Sequence, residues 1–482
     1  MTTWAWLLTA TALLLAVPGL LHLLRARRRR DELDFNIIDE AIHHLDTEDE
    51  PWTVHVEARV PGSLDEQKLR CAVASAMRVH PMARALQRTW RSWHTVYRWQ
   101  IVDAPTIDPV SARDCASDEE LAAVRATFQS TRVPIFEAPP FRVLLARHPG
   151  GDYVMLNVNH AACDGVGSLR LLRSIALAYS DLEDPARELG PGVRDLARAS
   201  APATLRQRWD RQLLLNRALR EAIASPPSRI AVDGGEASAG FGFVGRVADE
   251  ALTRAVARGK VAGGTVNDLL LGVLHVAIDG WNGAHGQASE RIGTMMPVNV
   301  RPPDQWGETV ANITYFVSVS TRASERGAPE AAVAAIARQT AEVKERGTAA
   351  ALREILFASP ALLLEVKRRM PALLSFGGNR VVDTAVLSNV GRVREPIPFG
   401  VLGPASELWF SPPCRMPLGL GMGVATYEGR MFFMFRYRRA QWSAAAAARF
   451  ADAYVDLLAR ATESPATIQT SEANRDASDR AR

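Results

Sequence analysis

Eleven residues, Asn157-Val-Asn-His160-Ala-Ala-Cys-Asp164-Gly-Val-Gly167, constrain this chain more than any other stretch. They follow the apolar run Tyr153 to Val158, which reads as a buried strand, and precede Ser168 to Ala178, which reads as a helix. A histidine therefore stands at a strand-to-helix junction, a place that can hold a catalytic base at the mouth of a cleft. Ala161 and Ala162 leave space beside its ring. Gly165 and Gly167 permit a tight turn or a close backbone approach. Asp164 has no side-chain donor beside it in sequence, so a buried carboxylate there needs a partner from elsewhere, and an arginine fits best. A histidine after an apolar strand is more often structural than catalytic. The small residues and the Asp-Gly turn shift the reading of His160 toward a base.

At 482 residues the chain is too long for one ordinary core, and two subdomains are expected. Its 57 Lys+Arg against 53 Asp+Glu suggest a basic protein, but Arg25, Arg27, Arg28, Arg29 and Arg30 account for the excess. Without those five the balance is 52 to 53, which gives no nucleic-acid face. Cys71, Cys115, Cys163 and Cys414 are scattered, with no Cys-x-x-Cys pair, so neither a disulfide framework nor a metal site is expected. No Gly-x-Ser-x-Gly elbow is present, which argues against a serine hydrolase. No Gly-x-Gly-x-x-Gly follows a strand, and no bound cofactor is expected.

Trp4 to Leu24 carries no Asp, Glu, Lys or Arg. Its length matches the ~20 residues that cross a bilayer as a helix. The arginines that follow it suit a membrane interface and make a poor signal-peptide cleavage site. Residues 1–30 are thus expected to form a single-pass anchor with a basic cluster, and the positive-inside rule places the rest of the chain in the cytoplasm. Interfacial insertion is the alternative, since Pro18 and His22 weaken the span.

The remainder alternates strand and helix patterns. Strands are expected at Trp52 to Val60, within Trp90 to Val102, and at Phe141 to Ala146, Phe243 to Val247, Ile292 to Val300, Thr314 to Ser320 and Val386 to Val390. A hairpin is expected from Gly419 to Tyr437. Helices are expected after a Ser63–Glu66 capping box, over Asp118 to Phe128, from Glu250, after a Thr265 cap, over Pro329 to Arg346 and over Ala444 to Ala459. Leu205 to Ile223 reads as a basic amphipathic helix, either a solvated face or a contact for headgroups or phosphate. Leu352 to Phe376 is apolar and broken by Pro360 and Pro371. It reads as a core helical hairpin or a surface that dips into lipid. Expected domains are an N-terminal subdomain over 31–195, a crossover over 196–242, a C-terminal subdomain over 243–462 and a disordered tail over 463–482.

The stretch Asn159-His160-Ala-Ala-Cys-Asp164-Gly165 resembles the His-His-x-x-x-Asp-Gly motif of the acyltransferase superfamily. That superfamily unites chloramphenicol acetyltransferase, peptide synthetase condensation domains, plant alcohol acyltransferases and bacterial wax ester synthase/diacylglycerol acyltransferases. Asp39 to Val56, Thr265-Val-Asn-Asp268, Pro297-Val-Asn-Val-Arg301-Pro and Leu387-Ser-Asn-Val-Gly391 are similar, in order, to stretches of the wax ester synthase-like branch. The resemblance covers about residues 35–460. It implies an α/β (α+β) fold of two chloramphenicol acetyltransferase-like subdomains with an active-site tunnel between them, here preceded by the membrane helix. It also implies an acyl-CoA-dependent O-acyltransferase, with acyl-CoA as co-substrate and a lipophilic alcohol or diacylglycerol as acceptor.

In this reading His160 is the general base. Asp164 orients the loop, Gly165 makes the turn, and Arg301, at the end of a second-half strand, pairs with Asp164. Asn159, Asn267, Asp268, Ser388 and Asn389 are candidates to contact substrate, with helix capping or turn formation as the rival role for the last four. Two alternatives stand. One is a condensation-type transferase fed by acyl carrier protein thioesters, and the other a non-catalytic membrane-tethered scaffold that binds an acyl ligand. The chain departs from the family at Asn159, where many members carry the first histidine, and at Pro140-Phe141-Arg142, where Pro-Leu-Trp is usual.

Overall fold

The structure is a computed structural model that describes residues 31–185, 206, 224–236, 240–259, 264–301, 308–346, 363–369 and 382–463. It is a mixed α/β fold built on two main sheets. The first runs β12-β2-β7-β6-β5. Its strands are β2 (Thr53–Arg59), β5 (Val110–Asp114), β6 (Phe141–Arg147), β7 (Tyr153–Asn159) and β12 (Glu407–Ser411). All seven residues of the middle strand β7 are buried. Val154, Leu156 and Val158 enter the larger core, and Tyr153 and Met155 a smaller one beneath α3 (Asp118–Ser130). This is the period-two side-chain alternation of a strand covered on both faces, and it explains a run from Tyr153 to Val158 whose one polar residue, Asn157, donates to Phe128 O and Thr131 O. On the larger-core side, α2 (Glu66–Val79) packs with α4 (Gly165–Tyr179), the helix that follows His160.

The second sheet runs β10-β9-β11-β13-β14-β8. It contains β8 (Phe241–Ala248), β9 (Arg291–Asn299), β10 (Thr314–Arg322), β11 (Ala385–Arg392), β13 (Leu420–Tyr427) and β14 (Arg430–Arg438). β11 lies parallel to both its neighbours. Apolar side chains of α6 (Val266–Ala284), α7 (Pro329–Arg346) and α8 (Ala444–Glu463) fill its core. A small third sheet runs β1-β4-β3, from β1 (Glu32–Asp34), β3 (Ala85–Gln87) and β4 (Arg98–Ile101). It lies beside α1 (Ile37–Leu45), where Trp99 Nε1 donates to Asp39 at 3.0 Å. A short helix, α5 (Glu250–Arg258), packs against α8.

The two halves are not separate in the way a division at residue 243 predicts. β12 belongs to the second half by sequence but pairs antiparallel with β2, Phe410 opposite Val56. The fully buried Arg436 on β14 donates to the carbonyls of Thr53 at 3.2 Å and Pro51 at 3.3 Å, and its guanidinium lies 3.9 Å from the Phe241 ring centroid. Glu407 to Ser411 is only five residues long, set between Gly403-Pro404 and Pro412-Pro413, too short a run for periodicity to single it out.

Smaller corrections have local causes. Asp65, not Ser63, caps α2, its carboxylate accepting from Lys68 N at 2.7 Å. The helix after His160 starts at Gly165 rather than Ser168, because Asp164 is its N-cap. Strand pairing over Trp90 to Val102 is confined to Arg98–Ile101. Among the described residues no helix is long and apolar enough to cross a membrane. Trp4 to Leu24, the basic stretch Leu205 to Ile223 apart from Arg206, and the tail after Glu463 lie outside the described residues. So does most of Leu352 to Phe376.

Candidate active site

The strand β7 ends at Asn159, opposite Thr53 of β2, and His160 N donates to Trp52 O at 3.0 Å. The chain then turns, with Ala162 N and Cys163 N returning to Asn159 O at 3.0 and 3.3 Å. Ala161, Ala162 and Cys163 are buried, while His160 keeps part of its surface open.

Asn159 is fully buried and its amide is spent on the fold. Nδ2 donates to Asp46 at 3.1 Å and to Val133 O at 2.8 Å, and Oδ1 accepts from Ala161 N at 3.0 Å. Asp46 in turn accepts from Trp52 N and from Arg132 Nε, both at 2.9 Å. Asn159 thus braces the loop under His160 and has nothing left for a substrate. A neutral amide does here what a second imidazole does not: it donates twice and accepts once in one plane.

Asp164 is the most heavily bonded group of the site. Oδ1 accepts from Gly167 N and Arg301 Nη2, each at 2.9 Å. Oδ2 accepts from Arg301 Nη1 at 2.8 Å, Ile313 N at 2.7 Å and Thr314 Oγ1 at 2.9 Å. Arg301 closes the network by donating to the carbonyls of Thr309 and Ala311 at 3.2 and 2.9 Å. Burial by itself would raise the Asp164 carboxyl. The Arg301 charge and these donors outweigh it and hold the group below its usual range. Arg301 therefore ties the His160 loop to the second half.

Burial lowers the His160 imidazole below its ordinary value, against the pull of Asp164 and nearby backbone carbonyls. The ring is neutral at pH 7 and able to take a proton. Its Nδ1 makes no hydrogen bond among the described residues. Cys163, three residues on, is no rival as nucleophile. Burial and the Asp164 charge hold its thiol well above the usual range, so the thiolate is scarce.

Gly165 owes its identity to the second half. A Cβ there would lie 2.7 Å from Phe410 Cε2 and 3.2 Å from Val390 Cγ1. Gly165→Ala is expected to destabilise by about 1–3 kcal/mol through overpacking. Phe410→Leu in the same chain should recover part of that loss, read as the urea midpoint.

The other candidates divide. Asn389, next to Val390, donates through Nδ2 to Asn267 Oδ1 at 2.8 Å, a part-buried bridge between β11 and the start of α6. Asp268 is a correction. It is buried, completes the Thr265 capping box at 2.6 Å, and accepts from Thr340 Oγ1 at 2.7 Å, so it holds α6 and α7 together. Ser388 is buried within β11, opposite Gly423. Thr314, Ile313 and Phe410 are site residues that pattern reading misses. Their roles arise from backbone donors and from a strand exchanged between halves, which leave no motif.

No family model matches the chain. The uncharacterized protein Rv2305 of Mycobacterium tuberculosis is 32% identical over 413 residues, spanning 84% of this chain and 94% of that one. A Salinispora arenicola protein named as a nonribosomal peptide synthetase, CymA, is 28% identical over 173 residues, 36% of this chain and 2% of its own length. Among solved structures, the first condensation domain of the calcium-dependent antibiotic synthetase superposes with a TM-score of 0.67. It covers 90% of this chain and 97% of that domain at 13% identity, a likeness of fold. The epimerization domain of the third module of tyrocidine synthetase B gives 0.60 over 91% and 98%, at 16% identity. The expected superfamily fold is therefore present, while the wax ester branch has no counterpart among these matches. The chain belongs to the family of Rv2305 and is built on the condensation-domain fold.

Proposed function

We propose that this protein is a condensation-type acyltransferase that moves an acyl group from a carrier-protein thioester to a hydroxyl or amine. The observation that carries this reading is the neutral, partly open His160 on a loop fixed by Asp164 and Arg301. His160 takes the proton from the acceptor O–H or N–H as that atom bonds to the thioester carbonyl carbon. The C–S bond then breaks, and the departing thiolate takes up the proton from the imidazolium. Asp164 stays ionised and does not exchange protons. The fold likeness and the partial match to a peptide synthetase favour a carrier-bound donor.

A second reading keeps the same chemistry with acyl-CoA as donor and a lipophilic alcohol or diacylglycerol as acceptor. The apolar run Trp4 to Leu24 favours it, since such a segment would put the cleft beside lipid alcohols. Thioester release by the full-length protein separates the two. Turnover with acyl carrier protein alone supports the first, turnover with acyl-CoA alone supports the second, and turnover with neither leaves only an acyl-binding scaffold. His160→Ala is expected to cut release by about 10²–10⁴-fold with the melting temperature unchanged. Full activity in that variant would sink both catalytic readings. The acid limb of kcat/KM should fall below pH 6.5, because His160 must be neutral to act and burial lowers its pKa.

A further inference from the structure

Three large apolar side chains stand out to solvent close together: Trp93 at 59% exposed, Leu363 at 39% and Val366 at 48%. Leu364 N donates to His94 O at 2.8 Å, which brings Trp93 and Leu363 to adjoining positions. Val366 N donates to Leu363 O on the same turn. The Arg91 guanidinium lies 5.2 Å from the Trp93 ring centroid, and that of Arg368 4.9 Å from the Trp90 centroid. Around the patch, residues 88–98 and 363–369 carry six cations, Arg88, Arg91, Arg98, Lys367, Arg368 and Arg369, against one acid, Glu365. Glu32 pairs with Arg88 and Arg98, and Glu40 with Lys367. Among the described residues, Arg368 and Arg369 pair with Glu365, and the Arg91 guanidinium stands over Trp93.

The amino-terminal chain arrives at the same small sheet. Ile101 N donates to Asp31 O at 2.8 Å, and Asp34 pairs with Arg98. Residue 31 thus lies at the Ile101 end of β4, about 13 Å along the strand from Arg98, from which the chain leads back through residues 94–97 to Trp93. Arg25 and Arg27 to Arg30 immediately precede Asp31, and the uncharged run Trp4 to Leu24 precedes them. Six residues reach up to ~20 Å when extended, more than the ~13 Å length of β4. Tryptophan beside arginine over an aliphatic surface is the composition of a protein face at a bilayer interface.

We propose that this face rests on an anionic lipid surface, with Trp93, Leu363 and Val366 in the headgroup–acyl boundary. Arg91, Arg368 and Arg369 meet lipid phosphates. The contact fixes how the body of the protein sits on a membrane, whichever thioester feeds the site. A protein partner fits less well, because the patch is small and ringed by cations that a lipid phosphate layer satisfies without a matched acidic surface.

The test uses the full chain with Cys71→Ser, since Cys71 is exposed and the other three cysteines are buried. Single cysteines at Trp93→Cys, Val366→Cys, Val232→Cys and Val401→Cys carry an environment-sensitive fluorophore. Val232 and Val401 are exposed controls away from the patch. The protein is placed in phosphatidylcholine vesicles with or without phosphatidylglycerol, containing nitroxide-labelled acyl chains. Blue-shifted emission and nitroxide quenching are expected at positions 93 and 366 and not at 232 or 401, with stronger quenching when phosphatidylglycerol is present. Joint reversal of Arg91, Arg368 and Arg369 to Glu should lower quenching at position 366 by about half or more. Water-like emission at 93 and 366 in both vesicles would overturn the proposal. So would quenching equal to the controls, or blue-shifted emission already present without lipid, which would mean that the chain itself covers the patch.

Discussion

Lowering the pH from 7 to 5 is expected to remove several kcal/mol of folding stability, a large share of the ~5–15 kcal/mol of an ordinary domain. The cause lies in histidines buried neutral. Burial lowers His43 and His275 to about 3 and His44 and His80 to about 4. His275 is fully buried between the Thr321 and Thr294 hydroxyls at 2.8 and 2.9 Å, where a neutral ring donates at one nitrogen and accepts at the other. An unfolded histidine titrates near 6.5. Below that pH the unfolded chain binds protons that the native rings refuse, so stability is full above about 6.5 and falls until the native rings protonate near 4 and 3. At pH 5 the difference is about 2 kcal/mol per ring at most, so four rings set an upper bound of about 8 kcal/mol.

Asp383 works in the opposite sense. Burial raises it to about 6, so its native state gains protons first and offsets a small part of the loss. Asp164 is held low, so its stabilisation is fully present from pH 7 to 5 and is lost only as the pH falls through the ordinary carboxylate range. Urea midpoints at pH 7, 6 and 5 provide the check. A midpoint that does not move across that range would refute the assignment.

The second large effect concerns the clasp beside His160. Asp164→Ala is expected to cost about 3–5 kcal/mol, because Arg301 would keep a charge buried with no counter-ion. Asp164→Asn should be nearly as damaging despite its shape. Both carboxylate oxygens already accept from N–H or O–H groups, so whichever becomes an amide nitrogen points a donor at donors. Joint replacement by Asp164→Leu and Arg301→Met should cost less than the sum of the single changes. If Asp164→Asn matched the parent in urea, the clasp would not be holding the loop. Crystal structures of the variants would show whether His160 leaves Trp52 O.

The legible parts of this protein are those whose signal is local. The strand before His160 is written in seven consecutive buried residues, and the helix at Val266 in a Thr265 cap with Asp268 three residues on. Asp164 advertises a missing partner because a carboxylate between buried residues is costly alone. What the sequence hides is long-range. Asn159 looks like a degraded catalytic motif, yet its Nδ2 donates to Asp46 and to Val133 O, neither predictable from the motif itself. Asp268 looks like a site residue because it sits near others, but a capping box and Thr340 consume it. Phe410 meets Gly165 only because β12 crosses between halves.

That crossing strand also governs how the protein can be made. The outer edge of β2 has its partner, Phe410 opposite Val56, about 350 residues later in the chain. At translation rates of about 5–20 residues per second, the edge waits roughly 20–70 s for its last strand to leave the ribosome. During that interval the first sheet has an open backbone edge, and Arg436 has not yet arrived to bond the Pro51 and Thr53 carbonyls. The nascent amino-terminal half is therefore the aggregation-prone species of this protein, and a chain truncated before residue 407 lacks the strand that would protect it.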